Sequence, residues 1–256
     1  MIGIIGGTGF YDPDFLKSQE KIEIETAYGE AAVHLGWIGK EKVVFLPRHG
    51  HNHKVPPHKI HYRRNVSALK TSGVERIISI NSVGSLDKSL TPGGILIPHD
   101  FIELTKDRES TFYDDEVVHV DMTEPYCREI REALIGCARR FYKKVFEQGV
   151  YACTQGPRFE TQAEIKMIRL AGGDVVGMVG YPEVALAREL GLCYASICII
   201  ANYGCGISKA PLTVKEVKEV VSENIDSMKK TLACAVRVVS AKKSCLCIDR
   251  LSEART

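Results

Sequence analysis

The residues best suited to chemistry lie in the segment 42–74, which carries seven Lys or Arg, five of the eight histidines and no acidic residue. This local excess of positive charge predicts that an anion binds there. Arg48 and His49 directly follow the apolar run 43–46, and α/β folds bind ligands at the carboxyl ends of strands. Because an arginine fork matches phosphate oxygens, we expect a phosphate-type site at Arg48 and His49.

The same segment admits two other interpretations. His49, His51 and His53 alternate along the chain and could present one face to a metal ion, but ligand histidines need nearby carboxylates and the segment has none. A groove for single-stranded nucleic acid would interleave aromatic rings with the basic side chains, whereas Tyr62 stands alone here. An anion site remains the favoured prediction, with His58 and His61 on a solvated face.

The amino-terminal run Ile-Ile-Gly-Gly-Thr-Gly at 4–9 also follows a predicted strand. Its unobstructed amides and the Thr8 hydroxyl suit phosphate oxygens. A dinucleotide fingerprint, as in a nicotinamide-dependent oxidoreductase, would run on into a helix. Here Phe10-Tyr11-Asp12-Pro13 follows and predicts a turn. A phosphate-binding loop is favoured, and a purely structural tight turn remains open.

Two further clusters offer groups for a polar heterocycle. In the loop 155–161, Phe159 provides an aromatic face and Glu160 an acceptor for a ring N–H, although Glu160 could instead support the dipole of the helix that begins after Thr161. Asn202 lies at the end of a predicted buried strand, where its amide needs a partner. That partner could be a ligand, or Asn202 could be an ordinary turn residue.

These residues must be positioned by alternating strands and helices. Apolar runs rich in Val and Ile predict strands at 2–6, 32–38, 43–46, 76–81, 94–97, 145–154, 174–179 and 193–201. Helical patterns lie at 58–72, 124–142, 162–171, 182–190 and 214–241, with capping boxes at Thr161 and Thr213. The pattern predicts one α/β domain over 1–241 with a parallel or mixed sheet, followed by a mobile polar tail, 242–256.

Composition narrows the class of protein. The chain has 256 residues, 45% of them hydrophobic, a net charge of +2 and no apolar run long enough to span a membrane. We therefore expect a cytoplasmic globular protein that binds neither nucleic acid nor membrane. The nine cysteines include no Cys-x-x-Cys pair, so we expect buried thiols, no disulfide framework and no structural metal.

The motifs taken together resemble one family. Ile-Ile-Gly-Gly-Thr-Gly at 4–9, Pro-Arg-His-Gly at 47–50, Gly-Ser-Leu at 84–86, Gly-Pro-Arg-Phe-Glu-Thr at 156–161 and Pro-Glu-Val-Ala-Leu-Ala at 182–187 resemble the trimeric purine nucleoside phosphorylases and methylthioadenosine phosphorylases. The resemblance implies a single-domain mixed β-sheet flanked by helices, a homotrimer or dimer of trimers, and cleavage of a purine nucleoside by inorganic phosphate without a cofactor.

The resemblance also implies site residues. Thr8, Arg48 and His49 would be phosphate ligands, with a backbone amide from Ser82, and His49 and Asn202 would be catalytic. Phe159 would form a wall of the base pocket, and Met178 would lie under the ribose. His119 would reach into the site of the neighbouring subunit. One departure is Val179, because the family usually has a phosphate-contacting hydroxyl directly after the methionine.

The base is expected to be a 6-oxopurine. Asn202 can donate to O6 and accept from a protonated N7, while Glu160 can accept from N1–H. Methylthioadenosine-cleaving relatives resemble this chain but carry Asp where Asn202 and Gly204 stand. The expected substrates are 5′-methylthioinosine, inosine or guanosine, with 5′-methylthioadenosine as the alternative.

The terminal Cys245-Leu246-Cys247 resembles the Cys-x-Cys of thermophilic archaeal members of that family. The resemblance implies a disulfide between Cys245 and Cys247, with two free thiols as the alternative.

Overall fold

The computed structural model describes residues 1–11, 13–50, 54–209, 211–241, 244–247 and 254. Within them, eleven strands form one sheet. The strands are β1 Ile2–Gly6, β2 Lys17–Ile24, β3 Ala31–Ile38, β4 Glu41–Pro47, β5 Arg76–Ser85, β6 Ile95–Leu96, β7 Asp100–Leu104, β8 Val145–Phe146, β9 Val150–Thr154, β10 Val175–Gly177 and β11 Cys193–Tyr203.

The sheet is mixed, as the sequence predicts. Its main order is β2-β3-β4-β1-β5-β10-β9-β7, with β11 added beside β5. Strands β4, β1, β5 and β11 run parallel to one another, whereas β3 is antiparallel to both β2 and β4, and β10 is antiparallel to β5. The carboxyl ends of β4, β1 and β11 therefore lie at one edge, which is where ligands bind in such sheets.

Five helices flank the sheet within the described residues. They are α1 Tyr62–Thr71, α2 Arg128–Ala138, α3 Gln162–Leu170, α4 Gly180–Glu189 and α5 Val214–Ala241. Neighbouring side chains on a strand point to opposite faces. Accordingly, Ile4 packs in the cluster that contains α2 and α5, whereas Ile5 packs in the cluster that contains α1 and α4. Helices thus cover both faces of the central strands.

The observed elements differ from the predicted ones in several places. The strands β2 and β7 were not predicted, and the predicted strand 145–154 is two strands, β8 and β9, separated by residues 147–149. The predicted helix 58–72 begins only at Tyr62, because Pro56 and Pro57 introduce a short 3₁₀ turn before it. The capping box at Thr161 and Glu164 is present, and at Thr213 the hydroxyl accepts from Glu216 N.

The cysteines correct one expectation. Cys137 and Cys234 form a disulfide that joins α2 to α5, and the other seven cysteines are free thiols. The predicted Cys245–Cys247 bridge is therefore wrong for this structure. Within the predicted tail, Ser244 donates to Glu129 Oε1 and Cys247 is buried. The remainder of that tail, apart from Ala254, lies outside the described residues.

In the part of the chain described, none of the helices is long and apolar enough to cross a bilayer.

Candidate active site

A cavity of about 220 Å³ opens at the edge where the parallel strands end. The carboxyl ends of β1, β4, β5 and β11 reach it, together with the turn between β10 and α4. Eight of the nine site residues named from the sequence line this one cavity: Thr8, Arg48, His49, Ser82, Phe159, Glu160, Met178 and Asn202. Residues up to 194 positions apart in the chain are thus assembled around one space.

Thr8 lies in a tight turn at the end of β1. Phe10 N donates to Gly7 O at 2.9 Å, and Gly9 has a φ of 83°, which suits glycine at this place in the turn. A Cβ at Gly7 would lie 2.5 Å from Ile80 O and 2.6 Å from Arg48 Nη1, so only glycine allows the loop so close to β5. The next described element is β2 rather than a helix, which argues against a dinucleotide fold at this loop.

Arg48 lies beneath that loop in a cage of acceptors. Its Nε donates to Glu183 Oε1 at 2.5 Å, and Nη2 donates to Ser79 Oγ at 2.5 Å and Glu183 Oε2 at 3.1 Å. Its Nη1 donates to Ile80 O at 2.9 Å. Burial alone would lower the pKa of Arg48, but the Glu183 carboxylate more than offsets it, so the pKa lies above its ordinary value and the guanidinium stays charged.

The cage limits the contact that Arg48 can make with an anion. Nε and Nη2, the pair of donors that the sequence assigned to phosphate, bind Glu183 instead. One hydrogen of Nη1 is left beside Gly7. Sequence reasoning missed Glu183 and Ser79 as its partners. Both are buried polar residues, and Glu183 belongs to the Pro-Glu-Val-Ala-Leu-Ala motif, which was the available signal.

His49 is buried at the side of the cavity. Its Nδ1 lies 2.8 Å from Val55 O. Because a carbonyl only accepts, Nδ1 carries the hydrogen of this bond. The neighbouring His51 and His53 lie outside the described residues.

The loop before α3 presents Phe159 and Glu160 to the cavity. Phe159 is 37% exposed, whereas Glu160 is buried and its Oε1 accepts from Thr154 Oγ1 at 2.6 Å. The capping box at Thr161 is made by Glu164, so capping does not occupy the Glu160 carboxylate, while support of the helix dipole by Glu160 stays open. Glu160 is therefore positioned as a cavity acceptor.

Asn202 lies inside β11 rather than in a turn. The register between β11 and β5 shifts between Ile200 and Asn202, and such a bulge re-aims the side chain that follows it. Asn202 Nδ2 donates to Tyr203 O at 2.8 Å, which fixes the amide while leaving a second hydrogen on Nδ2.

The opposite wall is held by a residue that sequence reasoning missed, Arg108. Its Nη2 donates to the carbonyl oxygens of Thr154, Gln155 and Met178, and its Nη1 donates to that of Tyr181. One cation thus ties together the strand end before Phe159 and the turn that carries Met178. The only sequence signal for it would have been an arginine in a segment without predicted structure.

Val179 lies where the family resemblance places a phosphate-contacting hydroxyl. It lines the cavity, and it is buried. At this place, therefore, the cavity wall is aliphatic.

His119 is the one predicted site residue that does not line the cavity. Its side chain is exposed, and its backbone N donates to Ala254 O at 2.9 Å. Within one copy of the chain, His119 therefore does not contribute to the lining of this cavity.

The cavity combines two chemical environments. The Thr8 loop, Arg48 and His49 form a donor-rich end suited to an anion, and Phe159, Glu160 and Asn202 form an end with an aromatic face, an acceptor and an amide. Among the described residues, the one group with metal-ligand geometry is a set of four cysteines that does not line this cavity.

Comparisons with known proteins agree with this arrangement. Residues 1–237 match the family model described as the phosphorylase superfamily. A probable S-methyl-5′-thioinosine phosphorylase of Methanocaldococcus jannaschii is 52% identical over 99% of both chains. A probable 6-oxopurine nucleoside phosphorylase of Dictyoglomus turgidum is 49% identical over 99% of this chain and 97% of its own. The structure of Schistosoma mansoni methylthioadenosine phosphorylase with adenine superposes with a TM-score of 0.94, at 33% identity, over 100% of this chain and 98% of the other.

Proposed function

The chain belongs to the phosphorylase superfamily, and from this premise we propose that it is a phosphorylase that cleaves the N-glycosidic bond of 6-oxopurine nucleosides. The products are the free base and ribose 1-phosphate or 5-methylthioribose 1-phosphate. The observation that carries the proposal is that the donor-rich end and the Glu160–Asn202 end share one cavity.

The reaction is a displacement at the anomeric carbon. The bond from C1′ to N9 breaks with its electron pair leaving on the purine, and a phosphate oxygen bonds to C1′ through an oxocarbenium-like state. Thr8 and the charged Arg48 hold phosphate beneath the sugar, with His49 as a further phosphate ligand. The enzyme gains rate by holding the two reactants together and by stabilising the charge on the base.

Asn202 and Glu160 provide that stabilisation. The departing purine takes a proton from solvent at N7, and the Asn202 carbonyl accepts from that N7–H. The hydrogen of Nδ2 not bonded to Tyr203 donates to O6. Glu160 accepts from N1–H, with its other interaction to Thr154 holding it in place. Met178 lies under the ribose.

The same groups oppose adenine. With adenine, Glu160 would face the lone pair of N1, and the Asn202 donor would meet an amino group, leaving buried polar groups unpaired. Sites of this kind discriminate by up to about 10⁴. The second candidate, a 5′-methylthioadenosine phosphorylase, is favoured by the likeness to the adenine-bound Schistosoma mansoni enzyme.

The proposal also covers the oligomeric state, the co-substrate and the cellular location. We propose a homotrimer, or a dimer of trimers, in which His119 completes a neighbouring site. Inorganic phosphate is a co-substrate, and the chemistry uses no cofactor. We also propose a cytoplasmic protein that acts on small molecules and binds neither nucleic acid nor membrane.

The deciding experiment measures initial rates of base release with and without phosphate. We expect release from 5′-methylthioinosine, inosine or guanosine only with phosphate, and a lower kcat/KM for 5′-methylthioadenosine. A higher kcat/KM for 5′-methylthioadenosine would favour the second candidate. Phosphate-independent release, or none, would exclude both.

A further inference from the structure

Four cysteines lie together on the side of the fold where α2 and β11 begin. Cys127 directly precedes α2, Cys193 begins β11, and Cys245 and Cys247 come from the carboxyl-terminal segment. Their four sulfur atoms all lie within 4.8 Å of one another, and the sulfurs of Cys193 and Cys245 are 3.3 Å apart. None of the four is in a disulfide.

This spacing matches a tetrahedral thiolate site. A zinc ion binds four sulfurs at about 2.3 Å, which places the sulfurs about 3.8 Å from one another. The observed separations need only small side-chain movements to reach that geometry. Zinc is the ion best matched to four thiolates with no other ligand type.

The backbone holds the ligands in place without help from the sulfurs. Cys127 N donates to Tyr194 O at 2.8 Å, and Cys193 N donates to Glu75 O at 3.0 Å. The terminal segment is tied down next to Cys245 by two bonds from Ser244 to Glu129 Oε1. The site is therefore preformed, with elements from distant parts of the chain contributing to it.

The surroundings suit the charge of such a site. Zinc with four thiolates carries a net charge of −2, and two buried arginines lie nearby. Arg76 Nη2 is 3.7 Å from Cys245 Sγ, although Arg76 also pairs with Glu129. Arg188 is buried, acts electrostatically on Cys247 and, among the described residues, has no hydrogen-bond partner for its Nε. Arg188 therefore offsets part of the excess negative charge, whereas the charge of Arg76 is shared with Glu129.

A route for the ion is also present. A cavity beside the cluster is lined by Cys127, Cys245 and Cys247 together with three carboxylates, Glu124, Glu129 and Glu132. Carboxylates at the entrance attract a divalent cation, and an entry path is one of the requirements for a metal site.

We propose that Cys127, Cys193, Cys245 and Cys247 bind one zinc ion that fastens the carboxyl-terminal segment to α2 and β11. On binding, the thiol protons pass to solvent, and no oxidant or reductant is needed. The expectation of no structural metal rested on the missing Cys-x-x-Cys spacing. The fold supplies the ligands from three separate segments instead.

The test uses the full chain, purified with a reductant from zinc-supplemented cells. We expect about one zinc per wild-type chain by elemental analysis. Cys247→Ser should bring the content near zero, whereas Cys205→Ser, which changes a free cysteine outside the cluster, should leave it unchanged. An equal zinc content in the wild type and Cys247→Ser would overturn the proposal.

A second measurement does not depend on a variant. Metal-free, reduced wild-type protein titrated with Co²⁺ should develop the sulfur-to-cobalt charge-transfer band and the intense visible bands of a tetrahedral thiolate site, saturating at one ion per chain. Absence of these bands would overturn the proposal. So would mass mapping that finds the four cysteines paired as two disulfides in protein isolated without reductant.

Discussion

Arg48 and Glu183, which are 135 residues apart in the chain, form an ion pair in which each side chain is only 1% exposed. The pair fastens the strand end that carries His49 to the helix that begins after Met178. Removing one partner of a buried pair leaves an uncompensated charge, which costs more than the net stabilisation that the pair provides.

Arg48→Ala should therefore lower the free energy of unfolding by about 3–5 kcal/mol, measured by denaturant titration. The matched control is Arg128→Ala, which breaks an exposed ion pair with Glu132 and should cost less than about 1 kcal/mol. Equal effects of the two variants would contradict this account of the cage. Because Arg48→Ala also perturbs the fold, it is a poor probe of phosphate binding.

Thr8→Val is the sharper probe of phosphate, since it removes a hydroxyl with little change in volume. Losing a hydrogen bond to a charged group costs about 1.5–3 kcal/mol, so the KM for phosphate should rise by about ten- to a hundredfold. The KM for the nucleoside should change much less. Thr71→Val, at an exposed position in α1, serves as the control. An unchanged phosphate KM in Thr8→Val would remove the amino-terminal loop from the site.

Asn202→Asp should shift the base preference towards adenine, because a carboxylate can accept from the adenine amino group but cannot donate to O6. The readout is the ratio of kcat/KM for 5′-methylthioinosine to that for 5′-methylthioadenosine. Asn224→Asp is the control, since Asn224 also donates to a backbone carbonyl, that of Val220, but lies in α5 away from the cavity lining. A ratio that moves equally in both variants would argue against a direct role for Asn202.

Variants of His119 can test whether two neighbouring subunits contribute residues to one site. His119→Ala and Thr8→Val should each lower activity when purified alone, while a co-expressed mixture should recover part of it. In a mixed trimer whose sites take His119 from one chain and Thr8 from the next, about a quarter of the sites would be intact. Recovery no better than the average of the two variants, or full activity from a species that light scattering shows to be monomeric, would contradict subunit sharing.

The ion pair at the start of α3 should make the stability of the protein depend on pH. Hydrogen bonds from Arg158 and from Thr161 lower the pKa of Glu164 from its ordinary 4.5 to about 2. A lowered native pKa means that the stabilisation is complete above about pH 4.5 and is lost as the pH falls towards 2. The stability difference between the wild type and Glu164→Gln should therefore be present at neutral pH and shrink in acid. A difference that stays constant across that range would show that Glu164 contributes no charge-dependent stability.

The sequence predicted the central strands, and named most of the polar residues found in the cavity lining, because those residues carry local signals. β1, β4, β5 and β11 are apolar runs buried by helices, and the site residues follow them in short polar motifs. The strand β2 was missed because it lies at the sheet edge with mostly exposed side chains. It therefore has no apolar run to reveal it.

The missed interactions are those between distant parts of the chain. Nothing local to Arg48 indicates that its charge is matched by Glu183, and nothing local to Cys127 indicates that Cys193, Cys245 and Cys247 come together around it. Such pairings depend on how the strands are ordered in the sheet. The same reason explains why Arg108, in a segment without regular structure, was not anticipated as a wall residue.

The hydrogen bonds of Arg108 affect how the sequence around this cavity can evolve. Four of its hydrogen bonds go to carbonyl oxygens, at Thr154, Gln155, Met178 and Tyr181, and every amino acid supplies a carbonyl oxygen. Side chains along these two wall segments can therefore be replaced without removing the acceptors of these four bonds, although the Gln155 side chain accepts a further bond from Arg108 Nε. Mutations of these side chains can alter which base or sugar is accepted while the backbone of the wall stays the same. Few substitutions would then be needed for the substrate preference to change during evolution.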